Sequence, residues 1–319
     1  MSAGRFAGVA LVALALTASA VAQVPAATAL VTTDVLVVGA DGEPIRDLSR
    51  EEFDVVSDGR PVSLTDFRSA PAELAVVLML DASTSQALKR YEVHTAVADS
   101  WLPSLRAGDR ARIGVIGQPA VFGGWLSADR AANTTTARTL VDRATAGPSP
   151  IWDNTVAAIQ LLADAPGAKA VILVTDGRAA ANVLSLDDVI ARATAANVSI
   201  SSVSEGGEQY LPQAGGPAAR IRSDESLRRL AETTGGLFVE DGAARRTTSA
   251  RIDPFRYVRE LVDTPSRPGP LLTRIMSLMR QRYRLSFVPF PDGQPRTLEV
   301  RVRRANVTVH ARRSFVSSK

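Results

Sequence analysis

Three oxygen-bearing side chains stand at alternate positions where an apolar run ends. In AVVLMLDASTSQ, residues 75–86, Asp81, Ser83 and Ser85 follow a stretch fit for a buried strand. A second apolar run, VILVTDG, ends in Asp176, and the loop GPSPIWD (147–153) contributes Ser149. Together Asp81, Ser83, Ser85, Ser149 and Asp176 offer two carboxylates and three hydroxyls. An all-oxygen set suits a hard divalent cation, Mg²⁺ first and Mn²⁺ or Ca²⁺ next, with octahedral geometry and retained waters. Each residue also has a purely local role open to it. Asp81 and Asp176 can cap strand-to-helix turns, and Ser83 and Ser85 can cap the helix that follows. Asp153 reads as a hydrogen-bonding loop residue rather than a ligand.

Other chemistries lack their residues. The chain has no cysteine, which removes thiolate metal sites and cysteine nucleophiles. Its two histidines, His94 and His310, are not near any Gly-x-Ser-x-Gly elbow. An aspartyl nucleophile at Asp81 would need a second aspartate two residues on, where Ser83 stands. The glycine pairs in GGEQ and GGP read as turns, not as a phosphate loop. The expectation is a protein without catalytic or organic-cofactor residues.

The elements that must position the oxygens follow an α/β rhythm. From residue 74, apolar strands (AVVLMLD, ARIGVIG, AKAVILVTDG, SISSVS, LFVED) alternate with helical patterns at 86–105, 129–145 and 152–164, in SLDDVIARATAANV and in SDESLRRLAETTGG. Ser185 and Ser223 are the expected N-caps of the last two helices, and AVFGGWLS is an expected edge hairpin. Such alternation implies a parallel sheet covered on both faces, with ligands at the carboxyl ends of its strands. Asp81 and Asp176 both fall there.

The two ends of the chain are strand-rich. Residues 28–69 and 283–317 hold short β-branched runs between Gly and Pro turns, and neither set is large enough for a core alone. Paired, they would form one β-sandwich interrupted by the α/β domain. The expected divisions are a signal peptide at 1–22, an N-terminal β segment at 23–71, an α/β core at 72–266, a connecting helix at 267–282 and a C-terminal β segment at 283–319. The signal rests on Arg5, the apolar run 6–16 and the small residues at 20 and 22; a periplasmic or secreted protein is expected, with no integral membrane segment after cleavage.

Composition adds little beyond this. The chain has 319 residues, 45% of them hydrophobic and 22% charged, enough for a sizeable core. Its net charge of +4 comes almost wholly from arginine, densest at 274–313. In LEVRVRR the arginines alternate with Leu298, Val300 and Val302, the pattern of a strand with one solvated face, so no nucleic-acid partner is expected and an anionic partner is the lesser alternative.

The motifs in order resemble the von Willebrand factor type A domain. DASTS fits its Asp-x-Ser-x-Ser element, VTDG its later aspartate, and SPIWD stands where the family has a threonine, an apolar stretch and an aspartate. Nearly the whole mature chain is similar to the bacterial von Willebrand factor A-related proteins of the Acidobacteria type, through EFDVVSDGRPVSLTDF near one end and YRLSFVP near the other. The resemblance implies a doubly wound, Rossmann-like sheet with a metal-ion-dependent adhesion site. Ser83 and Ser85 would ligate directly, Asp81 and Asp176 directly or through water, and Ser149 would stand in for the threonine. The open coordination position would take an Asp or Glu carboxylate from a protein partner. Two residues depart from the family pattern: Ser149 sits between Pro148 and Pro150, and Gln86 replaces a methionine. A structural module with a vestigial metal site is the alternative function.

Overall fold

The computed structural model describes residues 30–69, 73–83, 95–127, 129–143, 147–204, 209–213, 216–221, 224–240, 268–290 and 292–317. The expected signal peptide, Ser85, Gln86, His94 and Ser223 lie outside the described residues.

Among the described residues sixteen strands, β1 to β16, are distributed over three larger sheets and one hairpin. The central six-stranded sheet has the order β12-β9-β8-β5-β6-β7. Its members are β5 (Leu74–Asp81), β6 (Arg110–Ile116), β7 (Val121–Phe122), β8 (Ala168–Thr175), β9 (Val198–Ser204) and β12 (Phe238–Glu240). All neighbours are parallel except the short edge strand β7, the hairpin expected from AVFGGWLS. The chain leaves β5 to one side for β6, then returns to the other side for β8. That reversal opens a crevice at the carboxyl ends of β5 and β8.

Every residue of β5 is buried, because helices cover both faces of the sheet. Leu74, Val76, Leu78 and Leu80 face one core, shared with α1 (Arg130–Arg143) and α5 (Pro268–Met279). Ala75, Val77 and Met79 face the other, shared with α2 (Ile151–Leu161), α3 (Leu186–Ala196) and α4 (Asp224–Thr234). Truncating a leucine such as Leu78 to alanine in such a layer costs about 2–5 kcal/mol. Helix α3 starts on a capping box between Ser185 and Asp188 and ends at Asn197 in the left-handed region. Helix α5 lies against the π-helical turn Val97–Trp101, and the approach needs Gly269, since a Cβ there would lie 2.5 Å from Ser100 Oγ.

The strands at the two chain ends interleave. One four-stranded sheet is β15-β1-β13-β4 and the other β16-β14-β2-β3, so each mixes strands from before and after the α/β core. In the first, β1 (Val31–Gly39) pairs with β13 (Tyr283–Phe287) and β15 (Val307–His310), and β13 with β4 (Leu64–Arg68). In the second, β2 (Phe53–Ser57) lies between β3 (Arg60–Val62) and β14 (Pro295–Val302), and β14 also pairs with β16 (Ser314–Val316). Phe53, Phe67 and Tyr283 pack at ring separations of 5.1–5.7 Å, and Phe287 meets Phe315 edge-on at 5.3 Å. Tyr283 also fixes the 45–48 loop, donating to Ile45 O and accepting from Leu48 N.

The solvated arginine face is ion-paired. Arg301 bonds Glu299, Arg303 bonds Asp54, Arg304 bonds Asp47 and Glu52, and Arg296 bonds Asp58 and Asp292. One element was not anticipated: β10 (Gln209–Gln213) and β11 (Gly216–Ile221) form an antiparallel hairpin. Pro212, Pro217 and the glycines around them read as turns, and they hid two short strands. Among the described residues no helix is long and apolar enough to cross a membrane.

Candidate metal centre

Asp81 ends β5 and Thr175 ends β8, and the β5–β8 register, Leu80 opposite Val174, sets them side by side. Side chains alternate along a strand, so Asp81 and Thr175 point to the α2 face of the sheet, as Met79 and Leu173 do. There the Thr175 hydroxyl donates to Asp81 Oδ2 at 2.5 Å. The Ser149 hydroxyl donates to the same oxygen at 3.1 Å. The other oxygen, Oδ1, accepts from Ser83 N at 2.9 Å, which turns the chain just beyond the strand. All four residues are buried, as is Asp176.

The structure therefore brings Asp81, Ser83, Ser149 and Asp176 to one end of the sheet, and Ser85 lies outside the described residues. The proline-flanked loop does carry Ser149 to Asp81. It is held there by its backbone, because Ser149 O accepts from Ile151 N and Ala180 N, both at 2.8 Å. The loop after β8 is in turn strapped to the start of α2. Asp153 accepts from Val183 N and Leu184 N, and Asn182 Oδ1 accepts from Trp152 N. Asp153 is thus occupied in holding a loop.

Asp176 accepts from Arg178 N at 3.0 Å, and the half-exposed Arg178 guanidinium approaches its other oxygen at 3.5 Å. Asp81 has no arginine or lysine partner among the described residues. A buried carboxylate without a counter-charge is costly unless hydrogen bonds or a cation compensate it. Among the described residues no three His, Cys, Asp or Glu side chains converge. Any cation here would be met by two carboxylates, with hydroxyls and water completing its shell. That donor set fits Mg²⁺ or Mn²⁺ and does not fit a soft metal.

Two residues at this edge were missed in the sequence. Thr175 stands beside Asp176 in VTDG, and only the pairing of β5 with β8 reveals it as a partner of Asp81. Ser204 ends β9 opposite Thr175, and its buried hydroxyl has no hydrogen-bond partner among the described residues.

No protein-family model matches the sequence, and no curated protein matches it either. Solved structures similar to the chain include the BatB protein of Bacteroides thetaiotaomicron, at 14% identity over 59% of this chain and 97% of that one, with a TM-score of 0.40. A von Willebrand factor type A protein from Catenulispora acidiphila aligns at 13% identity over 91% of this chain and 74% of that one, with a TM-score of 0.42. Proximal thread matrix protein 1 of the mussel byssus aligns at 10% identity over 76% and 50%, with a TM-score of 0.44. The doubly wound α/β fold is defined by this chain's own sheet order, and the resemblance to the von Willebrand factor type A domain rests on DASTS and VTDG at its strand ends and SPIWD at the start of α2.

Proposed function

We propose that this chain is an exported, non-enzymatic binding module that takes a protein partner through a divalent cation, Mg²⁺ by donor chemistry. Export rests on the N-terminal residues 1–22, and a periplasmic or secreted location follows from it. Asp81, Ser83, Ser85, Ser149 and Asp176 are the residues that would hold the ion. When bound, it would supply a Lewis-acidic position for an Asp or Glu carboxylate of the partner. The observation that carries this reading is the buried Asp81 carboxylate at the crevice, receiving the hydroxyls of Ser149 and Thr175 and no basic side chain among the described residues. The protein's own contribution is orientation. Thr175 and Ser149 fix the Asp81 carboxylate, and the Ser83 N–H bond to Asp81 sets the start of the serine loop.

The test is water-proton relaxation with Mn²⁺ as the probe. Enhancement that acetate reduces saturably supports a site with an exchangeable position open to a carboxylate. Enhancement no greater than that of an Asp81→Ala variant counts against it. One observation favours a second reading, a structural module with a vestigial centre: the Arg178 guanidinium already stands beside Asp176.

A further inference from the structure

We propose that Arg282 and Arg312 form a binding site for a small oxyanion of the phosphate or sulfate class, in the cavity where the sandwich meets the amino-terminal ends of β8 and β9. Arg296, Arg301, Arg303 and Arg304 on the sandwich surface are matched by acids, and Arg284 takes both oxygens of Asp34 at 2.9 and 3.2 Å. Arg282 and Arg312 differ. They are only 3% and 8% exposed, and neither is hydrogen-bonded to a carboxylate among the described residues. Nε and Nη2 of Arg282 and Nε of Arg312 are buried donors without a partner among the described residues. Among the described residues the Arg312 side chain makes one hydrogen bond, from Nη2 to Thr32 O at 2.7 Å, and its guanidinium lies 6.0 Å from the centre of the Phe315 ring. The Thr33 hydroxyl, fully buried, also has no partner among the described residues.

These groups line one small cavity, together with Asp34, Thr194 and Ser199. Asp34 is the carboxylate that faces it, and Arg284 already engages both of its oxygens. Ser199 donates to Lys169 O, and the Lys169 ammonium turns away to Ala163 O. Two buried guanidinium groups therefore share a cavity whose carboxylate is already paired. Burial depresses both, Arg312 to about 10, with Asp34 opposing the shift only in part. A buried cation without a partner is unfavourable, and the planar guanidinium fork matches a tetrahedral or planar oxyanion through paired N–H bonds. An anion held there would fasten β13 and the approach to β16 onto the α/β sheet. The site lies at the end of the sheet opposite Asp81, so it stands or falls independently of the metal centre.

The experiment is thermal unfolding of the mature protein in a phosphate series and a sulfate series, each matched in ionic strength with chloride, beside isothermal titration with inorganic phosphate. The expected result is a rise that grows with the logarithm of anion concentration, about 3 °C at ten times the dissociation constant. One phosphate should bind per chain, and Arg312→Gln and Arg282→Gln should abolish both signals. General salting-out by sulfate rises in proportion to concentration and is unaffected by either variant. That pattern, or phosphate titration without heat or saturation in the wild-type protein, overturns the proposal. If a glutamine variant does not fold, Thr33→Val replaces it: removal of the cavity's hydroxyl should weaken phosphate binding at least several-fold, and unchanged affinity counts against the site.

Discussion

Thr175 donates its hydroxyl to Asp81 Oδ2 at 2.5 Å across the seam between β5 and β8. The bond joins residues 94 apart in sequence, at the point where the chain reverses its direction of travel through the sheet. Its surroundings are buried, so it both stabilises the fold and sets the direction of the carboxylate.

Replacing Thr175 with valine keeps the shape and removes the hydroxyl. Among the described residues Asp81 Oδ2 then keeps only the bond from Ser149, and Gly177 N loses Thr175 Oγ1, its acceptor at 3.1 Å. Loss of a buried partner of a charged acceptor costs about 1–3 kcal/mol, to be read as a lower midpoint of urea unfolding with an unchanged slope. A midpoint equal to the wild type would mean that the bond contributes nothing.

Arg178 competes with any cation for Asp176. Arg178→Gln removes that charge from a half-exposed position, so stability should change by less than about 0.5 kcal/mol. Affinity for Mg²⁺ should rise several-fold, since a nearby positive charge disfavours a second cation. Equal or weaker Mg²⁺ affinity in the variant would show that Arg178 supports the site instead of opposing it.

A buried ion pair holds the end of α5. Arg280 bonds both oxygens of Asp109, which also accepts from Arg106 N and Leu74 N. Burial pushes the Asp109 carboxyl upward, but these bonds and the Arg280 charge outweigh it and hold it below the usual aspartate range. A depressed carboxylate contributes stability that is present above its unfolded value and lost as pH falls through the folded one. The loss should therefore appear below about pH 4. Asp109→Asn should cost about 3–5 kcal/mol at pH 7, because Arg280 stays buried without its partner. The variant should also show a shallower fall in stability between pH 4 and pH 2, measured by unfolding at each pH.

Much of the architecture was legible because it depends on local pattern. The long apolar runs ending in Asp81 and Asp176 announced buried parallel strands and their carboxyl ends. The shortage of strands at either chain end announced a shared sandwich. What depended on long-range register was not legible. Thr175 has no special spacing, and its role follows only from which strand lies beside β8. Arg282 and Arg312 look like their solvated neighbours in sequence, and only the packing of the sandwich onto the sheet buries them. The hairpin β10–β11 carries prolines and glycines that argue for turns when read locally. The helix expected to run to residue 282 ends at Met279, which frees Arg280 for Asp109 and Arg282 for the cavity.

Calorimetric titration of metal-stripped mature protein with Mg²⁺ and Mn²⁺, beside Asp81→Ala and Ser83→Ala variants shown to be folded by circular dichroism, tests the central claim most directly. The account predicts saturable binding of one ion per chain, abolished by Asp81→Ala and weakened at least tenfold by Ser83→Ala. No saturable heat at millimolar metal, or binding that survives Asp81→Ala, would contradict it.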